Sequence, residues 1–358
     1  MRTRAQHFRN GLAVLVAIVS LSVAAGRLRA ADEPLRWKFE VGEKLDYNMV
    51  QEMNMSAAGA AVGNMNTTMR QEMNMTWDVQ GVDEKTGEAV IKQKFERVKM
   101  KMTTPVGGFE YDSKSEAAPT GLGAMIAPMY KAMTQGEFEI TMTARGEVKD
   151  VKVPEEVLAA LKSSPGAAAL GDMASPEGFK KMISQGALVL PENAPKKDET
   201  WSTKVEMNNP AVGKQTVETT YRYDGAKDID GTTYAVIKPQ LKMEFESKPP
   251  TPAKPETDGE AKQPAAAPQL SMKIADQSSD GEVLFNIGKG RLYSTTLNQK
   301  VTIDATVGGQ AMQQKIDQKI EVKVTPSGEK KEEKAEEKAE ATKKPEAEAK
   351  PTTTEEKK

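Results

Sequence analysis

Residues 45–79 alternate between apolar and polar side chains with few exceptions. The odd-numbered positions carry mainly Met, Leu, Tyr, Trp, Thr and Gln, and the even-numbered positions carry mainly Asn, Asp, Glu and Arg; Val50 is one exception. Because successive side chains of a strand point to opposite faces of a sheet, this period of two predicts two long, half-buried antiparallel strands. The glycine-containing stretch 57–64 lies between them and predicts the turn of a hairpin.

One face of this predicted hairpin is rich in methionine, and the pentapeptide Gln-Glu-Met-Asn-Met begins at both Gln51 and Gln71. The residues that form our candidate ligand-binding face are Met49, Met53, Met55, Met69, Met73, Met75 and Trp77. One interpretation is that the methionines fill an ordinary core. A second is that they line an apolar concavity for a lipid, because flexible thioethers adapt to varied shapes. A third is that four of them bind Cu(I), a soft ion that suits sulfur ligands. The four candidate copper ligands are Met53, Met55, Met73 and Met75.

The N-terminus has the pattern of a secretory signal peptide. Arginines at positions 2, 4 and 9 precede the apolar run 11–25, and small residues follow at Ala30 and Ala31. This order predicts a signal peptide over residues 1–30 that is cleaved after Ala30; an uncleaved anchor is the alternative. We therefore expect an exported protein, in the periplasm, the cell envelope or the medium, with no transmembrane segment in the mature chain.

The chemistry available to the mature chain is narrow. The chain has no cysteine, and its single histidine, His7, lies in the predicted signal peptide. Serine–histidine and cysteine–histidine nucleophiles, and zinc sites built from these residues, are thereby excluded. Paired carboxylates such as Glu110 with Asp112, or Asp228 with Asp230, remain available to a hydrolase, although their positions in turns and on polar strand faces favour a solvated surface. We expect a non-enzymatic protein without a cofactor, and the formal net charge of −2 gives no indication of a nucleic-acid partner.

The predicted fold is α+β and mainly antiparallel β. Alternating segments recur over residues 35–153 and 196–326, and a helical connector over 154–190 is predicted from proline and acidic residues at its helix starts. In the third strand the apolar positions change phase near Glu96 and Arg97, which predicts a β-bulge. We expect one or two strongly curved, half-barrel-like sheets built from two related halves; chance convergence of simple strand patterns is the alternative to duplication.

Two segments have compositions that do not build a core. Residues 247–268 are rich in Pro, Ala, Lys and Glu, and residues 327–358 are rich in Glu, Lys, Ala and Thr. Neither buries enough apolar surface to offset its ordering entropy, so we predict a disordered insertion and a disordered charged tail. The β-rich domain is then residues 35–326.

Several motifs together resemble a family of exported bacterial proteins of unknown function. They are Lys38, Gly42, Glu43 and Tyr47 in the opening strand, the methionine-rich hairpin 49–75, Arg97-Val98-Lys99-Met100, Arg145-Gly146-Glu147-Val148, and Asp198 with Trp201. The resemblance extends over residues 37–324. It implies a β-rich domain of this family and brings no catalytic residues.

These observations predict an exported cell-envelope protein of unknown biochemical function. The expected activity is the binding of an apolar ligand, a lipid or a protein partner on the methionine-rich sheet. A methionine-based Cu(I)-binding module and a purely structural envelope protein are the alternatives.

Overall fold

The computed structural model describes residues 33–59, 63–117, 119, 121–163, 175–209, 213–246, 270–307 and 310–328. The described residues up to Ser327 form one compact unit, to which the elements below belong. The predicted signal peptide, the Pro-rich insertion and the predicted tail beyond residue 328 lie outside the described residues.

Twelve strands and three helices make up the described part of the chain. The strands are β1 (Lys44–Gly59), β2 (Gly63–Val82), β3 (Ala89–Thr104), β4 (Gly107–Asp112), β5 (Glu137–Met142), β6 (Val148–Lys152), β7 (Thr200–Asn209), β8 (Gly213–Ile229), β9 (Thr232–Glu246), β10 (Leu270–Asn286), β11 (Arg291–Val307) and β12 (Gln310–Pro326). The helices are α1 (Leu122–Gln135), α2 (Glu155–Ser163) and α3 (Pro176–Gly186).

All twelve strands belong to one open sheet in the order β6-β5-β3-β2-β1-β12-β11-β10-β9-β8-β7, with β4 paired to β3. The mainly antiparallel fold is therefore confirmed, and it is one sheet rather than two. The first and last strands, β1 and β12, pair at its middle, and β6 and β7 form its two edges. Read from β6 to β7, the strand numbers fall from β6 to β1 in the first half of the sheet and from β12 to β7 in the second half. This order is compatible with a duplication, which stays a prediction.

The β1–β2 hairpin has the predicted register. Its pairs run from Leu45 opposite Trp77 to Gly59 opposite Gly63, so the odd-numbered positions share one face. In β3, Arg97 pairs with Asn74 while Phe95 pairs with Met75, which leaves Glu96 as an extra residue. The predicted bulge is thereby confirmed, and it keeps Phe95 and Val98 on the same face of the sheet, where both are buried.

The three helices pack on this same face, which we call the inner face. A buried cluster joins Phe95 of β3 and Phe138 of β5 to Val157 and Leu161 of α2 and Phe179 of α3. Helix α3 begins as its sequence predicts, because the Ser175 side chain accepts a hydrogen bond of 3.1 Å from the Gly178 amide. Together α2 and α3 carry the chain between β6 and β7, the two edges of the sheet.

Two irregular segments fill one end of the inner face. In the N-terminal segment 35–39, the Trp37 amide donates to the Ala144 carbonyl and the Lys38 amide donates to the Gly290 carbonyl, each at 2.8 Å. In the segment 188–190, the Leu190 amide donates to the Arg145 carbonyl at 2.7 Å. Both segments contribute to the largest core cluster, which also takes side chains from strands β2, β3, β5, β8, β9 and β10.

The ladder between β9 and β10 is short. It comprises four pairs and ends where Ile237 pairs with Val283. The next inward position of β9 is Pro239, which has no amide hydrogen to donate, and a Cβ atom on Gly281 would lie 2.9 Å from its ring. Beyond this point the side chains of Gln277 and Ser279 bond to the backbone of β9 in place of the ladder.

Candidate ligand-binding face

The seven predicted site residues all lie on the inner face, and all seven are half-buried. Cross-strand pairs bring most of them together: Met49 faces Met73, Met53 faces Met69, Met75 faces Tyr47 and Trp77 faces Leu45. Met55 faces Thr67. Side chains that are directly opposite on antiparallel strands contact one another, so the hairpin presents a largely apolar surface, which the Gln51–Gln71 pair interrupts between the two methionine pairs.

The part of this surface on β2 is covered by the helices. Met69 and Met73 pack against the cluster of Val98, Met100 and Tyr130, to which α1 contributes. Met73 and Met75 also pack against the cluster formed by Phe95, Phe138 and the helices α2 and α3. For these three methionines the interpretation as core packing is therefore supported by their contacts.

The methionines on β1 are in a different environment. Met49, Met53 and Met55 belong to none of the buried clusters among the described residues, although they are only half-buried. Their half-buried neighbours across the sheet continue the apolar surface onto β12 and β11. We call this surface the apolar strip, and it consists of Met49, Met53, Met55, Leu297, Ile316 and Ile320. The opposite face of the same strands exposes charged residues such as Glu52 and Lys319.

A polar row crosses the inner face within the apolar strip. Met53 pairs with Gln318, Gln318 pairs with Gln299, and Gln299 pairs with Ser279. The Nε2 atom of Gln299 is buried and has no hydrogen-bond partner among the described residues. The sequence analysis did not predict this row. The available signal was a glutamine at an inward position of each strand, Gln299 in β11 and Gln318 in β12, where the neighbouring inward residues are mainly apolar.

A second unpartnered polar atom lies nearer the filled end of the inner face. The Tyr47 hydroxyl is buried without a partner among the described residues, and burial raises the pKa of Tyr47 well above its usual range. The Tyr47 ring lies 4.5 Å from that of Trp77, whose indole nitrogen donates to Gln93 at 2.9 Å. By contrast, the side-chain amide of Gln71 has a hydrogen-bond partner, because it donates to the Tyr130 hydroxyl at 3.3 Å.

The four candidate copper ligands do not come together as one group. Met53 faces Met69 and Met73 faces Met49, whereas Met55 and Met75 lie eight positions apart along the hairpin. Eight residues of extended strand span about 27 Å, which no single ion bridges. The pairs that the register does form are Met53 with Met69 and Met49 with Met73. No cluster of three or more His, Cys, Asp or Glu side chains that could hold a metal ion occurs within the described ranges.

The candidate carboxylate pairs interact with residues of their own hairpins. Glu110 forms an ion pair of 2.7 Å with Lys101, and the Asp112 carboxylate accepts a hydrogen bond of 3.0 Å from Arg97 Nε. The hydrogen bond from Arg97 lowers the pKa of Asp112, the opposite of the shift that a general acid requires. Asp228 accepts a 2.6 Å hydrogen bond from the Thr233 hydroxyl, and Asp230 adopts a positive φ of 49° in the β8–β9 turn.

An open groove of about 1340 Å³ lies beside the Glu110–Asp112 pair, between β2, β3, β4 and α1. Its lining mixes acidic and basic side chains in similar number, among them Arg70, Glu72 and Lys131. A smaller cavity of about 580 Å³ lies near the far ends of the strands and is lined in part by Met272, Ala305 and Met312. Neither volume gathers the candidate carboxylates into an enclosed cleft.

Comparison with known proteins finds a match to one family model and distant similarities to solved structures. Residues 86–262, from the β2–β3 turn to the insertion after β9, match the model of a family of unknown function (DUF6263). This match confirms the expected resemblance to a family of unknown function. No curated protein matches the sequence. Within the described ranges, no helix is long and apolar enough to cross a membrane.

Two similar solved structures illustrate the range of those similarities. A structure on lipid–protein interactions in lipovitellin aligns at 10% identity and a TM-score of 0.41, covering 81% of this chain and 26% of that chain. The present chain thus spans about a quarter of the lipovitellin chain. An outer membrane channel from Pseudomonas putida F1 aligns at 8% identity and a TM-score of 0.24, covering 81% of this chain and 97% of that chain.

Proposed function

We propose that this chain is an exported, non-enzymatic binding protein that holds a lipid against the inner face of its sheet. The observation that carries the proposal is the apolar strip, which continues the core face of the sheet beyond the buried clusters. A largely apolar surface with a few polar groups, left partly open to solvent, is typical of a binding site. Met53 and Ile320 lie at its centre.

Curvature of the sheet would turn this strip into a concave site. Ile91 of β3 and Ile237 of β9 belong to one buried cluster, although five strands separate β3 from β9 in the sheet order. In a flat sheet those six strand spacings would amount to about 29 Å. We infer that the sheet bends strongly around the apolar strip, as a half-barrel does, and that Trp37 fills one end of the concavity.

An acyl chain buried on the strip would gain enough free energy to bind. Transfer of one methylene group from water to an apolar site is worth about 0.8 kcal/mol, so ten buried methylenes would contribute on the order of 8 kcal/mol. That gain exceeds the lower estimates of about 4 kcal/mol for immobilising a ligand. Methionine side chains suit such a site because their flexible thioethers adapt to chains of different shape.

The sequence supports the export and the absence of catalysis. The leader pattern of residues 1–30 predicts secretion, and residues 31–358 contain neither histidine nor cysteine. Half-buried thioethers and aliphatic side chains bind apolar groups and have no acid–base chemistry of their own. The methionines of β1 therefore serve binding in this proposal.

A fluorescent hydrocarbon tests the proposal directly. Diphenylhexatriene has no hydrogen-bonding atom, and it should bind to the purified full chain with enhanced fluorescence. Met53→Gln should weaken binding roughly tenfold, because it replaces an apolar side chain at the centre of the strip. Val50→Gln is the matched control, since Val50 lies on the same strand and the opposite face, between Glu72 and Glu321.

The natural ligand is sought in parallel by native mass spectrometry of the protein purified without detergent, followed by solvent extraction. Co-purifying lipid that Met53→Gln loses and Val50→Gln retains would support the proposal. Absence of both co-purifying lipid and diphenylhexatriene binding would overturn it and would favour a protein partner for this surface.

A further inference from the structure

The unpartnered amide of Gln299 gives the proposed ligand a chemical identity. A buried N–H group without an acceptor costs free energy, so native proteins rarely leave one unsatisfied without a reason. The nearest residues of β11 on the same face as Gln299 are Leu297 and Val301, and neither side chain can accept a hydrogen bond. Among the inward positions 297, 299 and 301 of β11, Gln299 carries the one side-chain amide, which therefore selects for a hydrogen-bond acceptor.

The cross-strand neighbours leave this amide available. Ser279 is already engaged, because its hydroxyl accepts from the Leu241 amide at 2.7 Å and contacts the Leu241 carbonyl at 3.1 Å. Gln318, on the other side, makes no hydrogen bond to Gln299 Nε2. The Nε2 atom therefore has no partner on either flank of its strand.

A ligand on the apolar strip can reach this atom. Gln299 as a whole is half-buried, and its side chain lies in the same cross-sheet row as Met53. Rotation about the last torsion of a glutamine side chain has broad, roughly two-fold preferences, so the amide can reorient toward a ligand without straining the rest of the side chain. The row then joins an apolar half, Met53 and Met69, to a hydrogen-bond donor.

We propose, resting on the function proposed above, that the ligand is an acyl lipid whose carboxylate or ester carbonyl accepts a hydrogen bond from Gln299 Nε2. The acyl chain lies along the apolar strip, and the oxygen of its polar end lies at the row of Gln318 and Gln299. A hydrocarbon without an acceptor binds to the same strip and leaves the amide unpaired.

Two probes with the same hydrocarbon body test this assignment. Diphenylhexatriene has no acceptor, whereas its propanoic acid derivative carries a carboxylate. The full chain should bind the acid more tightly than Gln299→Met does, by about tenfold, because a hydrogen bond to a charged group is lost. Affinity for diphenylhexatriene itself should be unchanged in Gln299→Met. The matched control is Gln240→Met, at an exposed position of β9.

The outcomes separate the two proposals. Equal loss of both probes, or no loss of either, in Gln299→Met would overturn the role of Gln299 and would leave an internal water as the partner of its amide. Failure of the unmodified chain to bind diphenylhexatriene would instead overturn the proposed function. Thermal unfolding of Gln299→Met controls for folding; removing an unpaired buried amide should leave its midpoint equal or higher. A methyl ester of the acid probe distinguishes a carbonyl acceptor from a requirement for negative charge.

Discussion

Gln277 of β10 holds the backbone of Met243 in β9 with two hydrogen bonds that are not part of a β-ladder. Its Oε1 atom accepts from the Met243 amide at 2.8 Å, and its Nε2 atom donates to the Met243 carbonyl at 2.9 Å. Ser279 contacts both backbone groups of Leu241 in the same way. Side chains of β10 thus take the place of a strand backbone where Pro239 ends the ladder.

We predict that Gln277→Leu lowers the free energy of unfolding by about 1–3 kcal/mol, because it leaves the amide and carbonyl of Met243 unpaired. Urea unfolding monitored by tryptophan fluorescence measures the change. Gln240→Leu is the control, since Gln240 is exposed on β9, the strand that also contains Met243. Equal stability of the two variants would contradict a structural role for the Gln277 bridge.

The sequence predicted the parts of the fold that depend on local periodicity. The alternation of Met49, Met53 and Met73 assigned the β1–β2 hairpin and its inner face, and the phase change at Glu96 assigned the bulge of β3. Both follow from side-chain direction along a strand, which is a property of neighbouring residues. The helix start at Ser175 and Pro176 was readable for the same reason.

The long-range arrangement was not readable in this way. Pairing of β1 with β12 joins residues more than 200 positions apart, such as Tyr47 and Val324, and periodicity does not specify such partners. The same holds for the insertion of Trp37 against Ala144. Alternation also identified which side chains share a face, but not which elements pack over that face. The difference between the covered methionines of β2 and the partly open methionines of β1 therefore became visible only in the structure. Pro239 was the one available sequence signal for the interrupted β9–β10 ladder.

A mostly buried ion pair joins the residue before β1 to the start of β11. The side chains of Glu43 and Arg291 form a salt bridge and are 14% and 15% exposed, respectively. Burial lowers the pKa of Arg291. We predict that Glu43→Gln costs about 1–3 kcal/mol of unfolding free energy, because the mostly buried Arg291 charge keeps only Glu40 as a nearby counter-charge.

Chemical denaturation of Glu43→Gln and of the double variant with Arg291→Met tests the cause. The double variant should recover part of the loss, since it removes the poorly compensated Arg291 charge. Glu244→Gln is the control, because the Glu244–Lys242 pair is mostly exposed and should contribute less than about 1 kcal/mol. A single variant as mild as Glu244→Gln would contradict the importance of burial.

The Arg97–Asp112 ion pair should make a contribution to stability that is lost at acidic pH. The hydrogen bond from Arg97 lowers the pKa of Asp112 in the folded state. Its contribution is therefore present above the usual pKa of an aspartate and is lost as the pH falls through the lowered value. We predict that Asp112→Asn costs about 0.5 kcal/mol at pH 7 and nothing at pH values near 2, because the pair is partly exposed. Urea unfolding at several pH values measures this cost. On an Arg97→Met background the cost of Asp112→Asn should no longer depend on pH.

The unpartnered hydroxyl of Tyr47 has a different signature, at alkaline pH. Burial raises the pKa of Tyr47, so the folded chain keeps this proton while the unfolded chain loses it above about pH 10. The stability associated with Tyr47 is accordingly present below that pH and is lost as the pH rises. We predict that Tyr47→Phe is as stable as the unmodified chain at pH 7, or more stable by up to about 1 kcal/mol, because it removes a buried hydroxyl without a partner.

Tyr130→Phe provides the contrast for this last prediction. The Tyr130 hydroxyl accepts a hydrogen bond from Gln71, and burial raises the pKa of Tyr130 to about 12. Removing it should cost about 1 kcal/mol at pH 7, since the Gln71 amide loses its partner. Thermal unfolding at pH 7 and at about pH 10.5 separates the cases: Tyr47→Phe should lose less stability between the two pH values than the unmodified chain. If Tyr47→Phe were instead destabilised at pH 7 as much as Tyr130→Phe, the Tyr47 hydroxyl would have to be hydrogen-bonded in the folded chain, and the inner face would be better satisfied than its geometry indicates.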